Sequence, residues 1–304
     1  MPHKPWRTQY RSEMRIALSI VLVALLGSVA VGDSKQDVDA IVRKRIEKAA
    51  DVMAVGADVL VKGGHVKPED ADQEIVDLHG DYAQGGGGSW MKVGKLEVVA
   101  DDASGTAWFH GRAISFVQVD PKQAPTENPL RINGIAVKDK TWKIVALSYT
   151  EEISDQDMIE RAQHVEPKLA IPAAVVTRGD PALAKVAGNW FSAAAIAGGA
   201  SRGAKLVANG TAASEYQSGA AATKLAAAWD KLKLAPYKIE AKTFANGRIG
   251  FVRVVVAMAV AKPKRIVPLV LAAVVVQEQG EWRWVSLNWT DFSVPPNSDP
   301  VDVK

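Results

Sequence analysis

The hydrophobic residues between positions 35 and 62 recur with the period of an α-helix. The opposite face of the pattern is charged and carries Arg43, Lys44, Glu47 and Lys48. This arrangement predicts an amphipathic helix over 35–62 whose apolar side packs on a core. The apolar positions of the predicted helix are Val38, Ile41, Val42, Ile46, Ala49, Val52 and Met53.

A second helical stretch begins at Asp180, which with Pro181 supplies a helix N-cap and a first-turn proline. Each helical stretch is followed by runs typical of strands, which turn residues separate. Helices followed by a meandering antiparallel sheet predict an α+β unit rather than a parallel-sheet nucleotide fold. The predicted strands cover 94–100, 105–119, 129–138 and 141–151, and then 237–245, 248–261, 265–278 and 281–292.

The two halves of the chain repeat each other. Landmarks recur in the same order, and such a repeat predicts two copies of one domain. The corresponding residues include Trp142 and Trp282, Leu147 and Leu287, and Tyr149 and Trp289, which are 140 apart, and Glu97 and Glu240, which are 143 apart. We therefore expect domains over 33–155 and 180–304, the second with a short C-terminal tail, joined by a linker over 156–179.

The N-terminal segment 1–32 has a different character. Ile16 to Gly32 contains no charge, and Lys4, Arg7, Arg11 and Arg15 precede it. Small residues at 28–30 or 30–32 suit a signal peptidase, so we expect a periplasmic or secreted protein. The alternative is an uncleaved anchor that holds the protein at the membrane through residues 16–32, and Met14 is an alternative start.

Trp142 opens the strand Trp-Lys-Ile-Val, and this closing strand, with helices first and a long sheet afterwards, resembles the SnoaL-like branch of the superfamily named for nuclear transport factor two. The resemblance covers 33–155 and 180–296 and implies two tandem cone-shaped domains, each with N-terminal helices packed on a curved antiparallel sheet. It also implies a pocket in each cone and an internal pseudo-dimer. Many relatives have histidines four and six positions after the tryptophan, where this chain has Ala146, Ser148, Ser286 and Asn288.

Composition narrows the choice of function. The 37 basic residues are balanced by 34 acidic ones, which argues against a nucleic-acid partner. The chain has no cysteine, and His3, His65, His79 and His164 are scattered without metal-ligand spacing, so we expect neither a metal nor a cofactor.

Strand alternation places Trp108, His110 and Arg112 on one face of the second predicted strand. They could form a pocket with a histidine base, since histidine exchanges protons near neutral pH, or an exposed polar face. The repeat gives Val252 as the counterpart of His110. Glu97 and Glu240 are either pocket acids or part of a solvated Lys-x-Glu face with Lys95 and Lys238.

Strict alternation also assigns the side chains of the two closing strands to two opposite faces. It assigns Val285, Leu287 and Trp289 to the face against the domain's own helices. The opposite face is then the candidate inter-domain or dimer face, with Trp142, Ile144, Trp282 and Trp284.

The leading functional hypothesis is a non-enzymatic module that binds a small apolar ligand or a protein partner. The alternatives are a hydrolyase or isomerase that uses His110 in the first domain, and a structural scaffold.

Overall fold

The computed structural model describes residues 33–72, 75, 88–152, 174–208, 218, 234–260 and 265–291. The predicted signal or anchor segment, most of the predicted linker and the C-terminal tail lie outside these residues. Within the described part of the chain, no helix is long and apolar enough to cross a membrane.

In the described residues, the first domain is a six-stranded sheet with a long helix packed on the face that points away from the second domain. The helix, α1 (Ser34–Lys48), is capped by the Asp33 side chain and buries Val38, Val42 and Ile46 against the sheet. The strands lie in the order β2-β1-β6-β5-β4-β3. Their bounds are β1 (Met53–Val61), β2 (Gly64–Val66), β3 (Gly88–Asp101), β4 (Thr106–Gln118), β5 (Thr126–Lys138) and β6 (Trp142–Glu151).

The second domain repeats this sheet with shorter helices. These are α2 (Pro181–Gly188), capped by Asp180, and α3 (Ala193–Gly198). The strand order is β7-β9-β10-β11-β12-β8. The strands are β7 (Val176–Gly179), β8 (Ala200–Ala208), β9 (Leu234–Phe244), β10 (Ile249–Val260), β11 (Arg265–Glu278) and β12 (Glu281–Asp291). Strand β7 occupies the last four residues of the range predicted as a linker.

The helix predicted over 35–62 is shorter than its hydrophobic pattern indicated. It ends at Lys48 because Ala49 takes a left-handed conformation, with φ of 48°, and its N–H bonds back to Lys44. The residues from Met53 onward form β1, which pairs in parallel with β6. In the second domain β8 pairs in parallel with β12 in the same way. Both sheets are therefore mixed, not purely antiparallel as predicted.

The predicted fold class is confirmed. Each half is an α+β unit whose helices precede its long antiparallel strands, and the eight strands predicted from the sequence all form. The tandem arrangement of two similar six-stranded sheets is the one that the internal repeat indicated.

A β-bulge in each closing strand changes which side chains share a face. In β6 the extra residue is Val145, and in β12 it is Val285. A bulge inserts one unpaired residue, so the alternation predicted along each strand reverses there. The four residues predicted at the inter-domain face instead lie in or against the core of their own domain, namely Trp142, Ile144, Trp282 and Trp284.

The two sheets pack on each other through the faces that point away from each domain's own helices. A buried cluster joins Leu60, Ile135 and Ala146 of the first domain to Phe251 and its neighbours in the second. At its centre the fully buried Asn133 side chain donates to the backbone oxygen of Ala272. The remaining members of this apolar cluster are Ile249, Ala272, Val274 and Val285.

Candidate functional site

Three of the predicted site residues, Glu97, Trp108 and His110, lie close together on β3 and β4, where the first sheet contacts the second domain. Glu97 and His110 are directly opposite each other on β3 and β4, and their side chains approach to 3.4 Å. Trp108 stacks on the His110 imidazole with ring centroids 5.5 Å apart. Lys205, from β8 of the second domain, brings its ammonium within 3.7 Å of Glu97, and Lys95 lies 3.8 Å away. We call Glu97, His110, Lys95 and Lys205 the Glu97 cluster.

His110 is unsuited to the role of a pocket base. It is only 3% exposed, and it lines neither of the two cavities described below. Burial lowers the pKa of His110 to about 4, although the neighbouring Glu97 carboxylate opposes this shift. The imidazole is therefore neutral at pH 7 and packs as part of the contact between domains.

Glu240 is the centre of a second and more tightly bonded group. Its carboxylate accepts from Arg253 at 2.7 Å and lies 2.8 Å from His65 Nε2, which belongs to β2 of the first domain. The other ring nitrogen of His65 lies 2.9 Å from Asp58. Lys238 is 3.1 Å from Glu240. We call Glu240, His65, Asp58, Arg253 and Lys238 the Glu240 cluster.

The protonation of this cluster follows from its geometry. Burial lowers the pKa of His65, but the hydrogen bonds to Asp58 and Glu240 outweigh burial and raise it to about 9. Burial also raises the pKa of Glu240, yet His65 and Arg253 together hold it well below its usual range. At neutral pH the cluster consequently holds an imidazolium between two carboxylates.

The two clusters occupy equivalent positions in the repeat. Glu97 pairs across strands with His110, and Glu240 pairs in the same way with Arg253. The structural counterpart of His110 is therefore Arg253, and the sequence alignment with Val252 was wrong by one residue. In each cluster one basic residue comes from the other domain, Lys205 in the first and His65 in the second. These ion pairs join the domains.

Arg112 lies apart from both clusters. It follows His110 on β4, where its guanidinium donates to both carboxylate oxygens of Glu152 at 2.7 and 2.8 Å. This bidentate ion pair ties the residue after β6 to β4. Arg112 is thus occupied within the first domain.

A cavity of about 160 Å³ lies inside the first domain, between the end of α1 and the beginning of β3. Its apolar lining residues are Ile46, Ala49, Ile75, Trp90 and Met91, and Glu47, Lys48 and Ser89 add polar groups. Asp72 and Ser115 also line it. Each has a side-chain oxygen with no hydrogen-bond partner among the residues that the structure describes, Oδ1 in Asp72 and Oγ in Ser115. We call this space the α1 cavity.

An ion pair between a buried arginine and a partly exposed aspartate lies next to the α1 cavity. Arg45, on α1, donates to Asp72 Oδ2 at 2.8 Å, and Asp72 in turn lines the cavity. The nearby Tyr149 hydroxyl is fully buried, and burial raises its pKa above the usual range. Sequence reasoning missed these residues. The available signal was Arg45 itself, a cation on the apolar face of α1 next to Ile46, which indicates a buried acidic partner.

A larger hollow of about 440 Å³ lies at the border between the domains. Trp108 and Asp101 of the first domain face Arg248 and Gln277 of the second across it. Of the predicted site residues, only Trp108 contributes to its wall.

Among the described residues, no group of three or more histidine and carboxylate side chains could hold a metal ion.

The solved structures similar to this chain include cystatin-like and NTF2-like proteins. The chain matches a cystatin-like protein from Caulobacter vibrioides with 13% identity and a TM-score of 0.29, over 41% of this chain and 96% of that one. It matches an NTF2-like protein of unknown function from Prochlorococcus with 14% identity and a TM-score of 0.28, over 40% and 96%.

A third match, an NTF2-like protein involved in plasmid conjugation, has 12% identity and a TM-score of 0.26, over 79% of this chain and 94% of that one. At these identities and scores the matches carry no argument about superfamily, activity or ligand. No family model matches the chain, and no curated protein matches it in sequence.

Proposed function

We propose that the protein is a non-enzymatic binding module whose first domain takes a small, largely apolar ligand in the α1 cavity. The observation that carries this proposal is the pairing of an apolar wall with two buried oxygens that lack hydrogen-bond partners among the described residues. Ligand pockets are usually apolar and carry a few polar groups that orient the ligand. A buried polar atom without a partner costs free energy, which a ligand that supplies the missing hydrogen bond would recover.

The size and polarity of the cavity define the ligand. A volume of about 160 Å³ is close to the roughly 150 Å³ of an apolar cavity that holds one benzene ring. The Asp72 carboxylate accepts hydrogen bonds, and Ser115 can accept or donate. A ligand with one ring and one hydroxyl or amino donor therefore fits the α1 cavity best.

The enzymatic alternative lacks its proposed proton carrier at this site. His110 lies beside Glu97, which contacts Lys205 of the second domain, and it does not line the α1 cavity. The first-domain cavity therefore offers no histidine for acid–base chemistry within the described residues.

Export belongs to the proposal and rests on the sequence. The basic positions and uncharged run of segment 1–32 support a site of action in the periplasm, outside the cell or at the membrane surface. Cell fractionation tests this location, and a soluble cytoplasmic pool of full-length chain would contradict it.

Binding can be measured by ligand-observed NMR with phenol, aniline and toluene as probes. We expect phenol and aniline to bind more tightly than toluene because only they donate a hydrogen bond. The variant Ser115→Leu places an apolar side chain in the cavity and should abolish binding of all three. The matched control Ser201→Leu, on β8 of the second domain, should leave binding unchanged.

Two results would contradict the proposal. One is the absence of binding by any of these probes, which would favour a scaffold role. The other is binding that Ser115→Leu leaves intact, which would move the ligand site away from the α1 cavity.

A further inference from the structure

The larger hollow between the domains has the size of a ligand site and is separate from the α1 cavity. Its volume is about 440 Å³, which lies within the range of roughly 300–1,000 Å³ that is usual for small-molecule pockets. None of its lining residues also lines the α1 cavity. We call this space the border hollow.

Apolar side chains of both domains line the border hollow. Val99 and Trp108 are directly opposite each other on β3 and β4. Ile249 and Val276 are opposite each other on β10 and β11. Trp108, Ile249 and Val276 also pack in the apolar cluster between the sheets, so the hollow adjoins that cluster. Val99 is 49% exposed, and a ligand in the hollow would cover part of this apolar surface.

Trp108 gives the border hollow an aromatic wall. Its indole stacks on the His110 imidazole with ring centroids 5.5 Å apart, and the same residue lines the hollow. Stacking restricts the orientation of the indole before any ligand arrives. A second ring that enters the hollow can therefore pack on a preformed aromatic surface.

Two opposite charges line the same space, one from each domain. They are Asp101, at the end of β3, and Arg248, in the turn before β10. The hydrogen bond from Ser104 and, more weakly, the charge of Arg248 hold the pKa of Asp101 below its usual value, so its carboxylate is ionised at pH 7. Among the described residues, Arg248 has no carboxylate within 4.0 Å. Its guanidinium therefore has donors that a ligand carboxylate can engage.

Asp101 also has bonding capacity to spare. Its two carboxylate oxygens accept from the Ala103 N–H and from the Ser104 hydroxyl, one bond each. An ionised carboxylate offers about four acceptor positions, so two of them remain for a ligand.

We infer that the border hollow binds a free amino acid with an aromatic side chain. Such a zwitterion carries a carboxylate for Arg248, an ammonium group for Asp101 and a ring for the Trp108 wall. An aromatic anion would leave Asp101 without a partner, and an aromatic amine would leave Arg248 without one. Only a ligand with both charges pairs with both residues. Because its partners belong to different domains, the bound amino acid joins the two.

Isothermal titration calorimetry of the full-length chain at pH 7 measures this binding, with phenylalanine, tyrosine and tryptophan as probes. Phenylpropionate keeps the ring and carboxylate of phenylalanine without the ammonium group. Phenethylamine keeps the ring and ammonium group without the carboxylate. We expect phenylalanine to bind at least about ten-fold more tightly than either, since each of them loses one charge-assisted hydrogen bond.

Variants of the two charged residues assign each half of the zwitterion. Arg248→Gln should remove the advantage of phenylalanine over phenethylamine, and Asp101→Asn should remove its advantage over phenylpropionate. Both residues are exposed, so neither variant should prevent folding. The matched controls Arg202→Gln and Asp51→Asn replace exposed charges that do not line the hollow and should leave binding unchanged.

A bulky side chain in the border hollow tests its location. Val99→Trp fills the space from an exposed position and should abolish binding of all three amino acids. The matched control Val119→Trp, at another exposed valine that does not line the hollow, should not affect binding. Arg248→Gln should also leave phenol binding intact, so this proposal and that for the α1 cavity can fail separately.

Three results would overturn the proposal. The first is the absence of binding by phenylalanine, tyrosine and tryptophan. The second is equal affinity of phenylalanine, phenylpropionate and phenethylamine, which would show that the two charges do not select the ligand. The third is phenylalanine binding that survives Val99→Trp and is lost in Ser115→Leu, which would place the ligand in the α1 cavity.

Discussion

The charge state of His65 should make the stability of the protein depend on pH above neutrality. Its pKa rises from 6.5 to about 9 on folding because Asp58 and Glu240 bind the protonated ring from both sides. A pKa raised by folding stabilises the protein fully below pH 6.5, and this contribution is lost as pH rises through 9. We therefore expect the free energy of unfolding to fall between pH 6.5 and pH 9.5.

The size of the effect follows from the shift. A shift of about 2.5 pKa units corresponds to about 3.4 kcal/mol for a fully shielded group. The His65 side chain is 34% exposed, so solvent screening reduces the expected loss to about 1–2 kcal/mol. The variant His65→Gln cannot be protonated, and its free energy of unfolding should not show this loss.

Urea unfolding followed by tryptophan fluorescence at pH 6.5, 8 and 9.5 measures the effect. We expect wild type to exceed His65→Gln by about 1–2 kcal/mol at pH 6.5 and the difference to shrink by pH 9.5. The variant His110→Gln is the control, since His110 titrates below this range and should leave the alkaline loss in place. The reasoning is refuted if wild type and His65→Gln change in parallel at every pH.

Three further predictions concern the contact between the domains. Glu240→Gln should lower the free energy of unfolding by about 3–5 kcal/mol, because it leaves Arg253 and His65 without their buried anion. Glu97→Gln should lower it by under about 1 kcal/mol, because the Glu97 side chain is 42% exposed. Urea unfolding of both variants at pH 7 measures the difference. The free energy of unfolding of wild type should fall as pH falls from 6.5 through 4, since folding lowers the pKa of His110. In the same assay, the free energy of unfolding of His110→Gln should fall less over that range. Equal decreases in the two proteins would contradict the burial assigned to His110. Gly63→Ala should cost about 2–4 kcal/mol, because Gly63 has φ of +76° and a Cβ there would lie 2.6–2.9 Å from the side-chain atoms of Val270 in the other domain. Val270→Ala removes the two methyl groups at 2.7 and 2.9 Å but keeps the Cβ, so in thermal unfolding it should recover part of the loss. A double variant whose loss equals the sum of the two single losses would rule out a clash between these methyl groups and residue 63.

Much of the fold could be predicted because its signals are local. Alternating runs separated by turns predicted seven of the eight long strands to within three residues at each end, whereas β3 begins six residues earlier than predicted. The Asp180-Pro181 signal predicted the start of α2. The strands that follow the helices were missed, because β1 and β8 pair in parallel with the distant closing strands. Their partners lie about 80–90 residues away in the chain, so no local sequence pattern predicts that β1 and β8 pair with them.

The candidate site was harder to predict for two physical reasons. A bulge changes the face of every later residue, and neither Val145 nor Val285 differs from an ordinary strand residue in sequence. The second reason is that the clusters draw residues from separate domains, as His65 and Glu240 are 175 positions apart. Glu97 and Glu240 were recognised as equivalent, but the bases that bind them could not be assigned without the packing of the sheets.

The bulges at Val145 and Val285 show that the repeat extends to an irregularity of the backbone. The extra residue lies at the same point of both closing strands, 140 positions apart. Duplication of one domain predicts such a shared irregularity, because a copied strand keeps its inserted residue. His110 and Arg253 occupy equivalent positions but differ in side chain. The two halves therefore share one backbone geometry where the sheets meet, while each side of that contact carries its own chemistry.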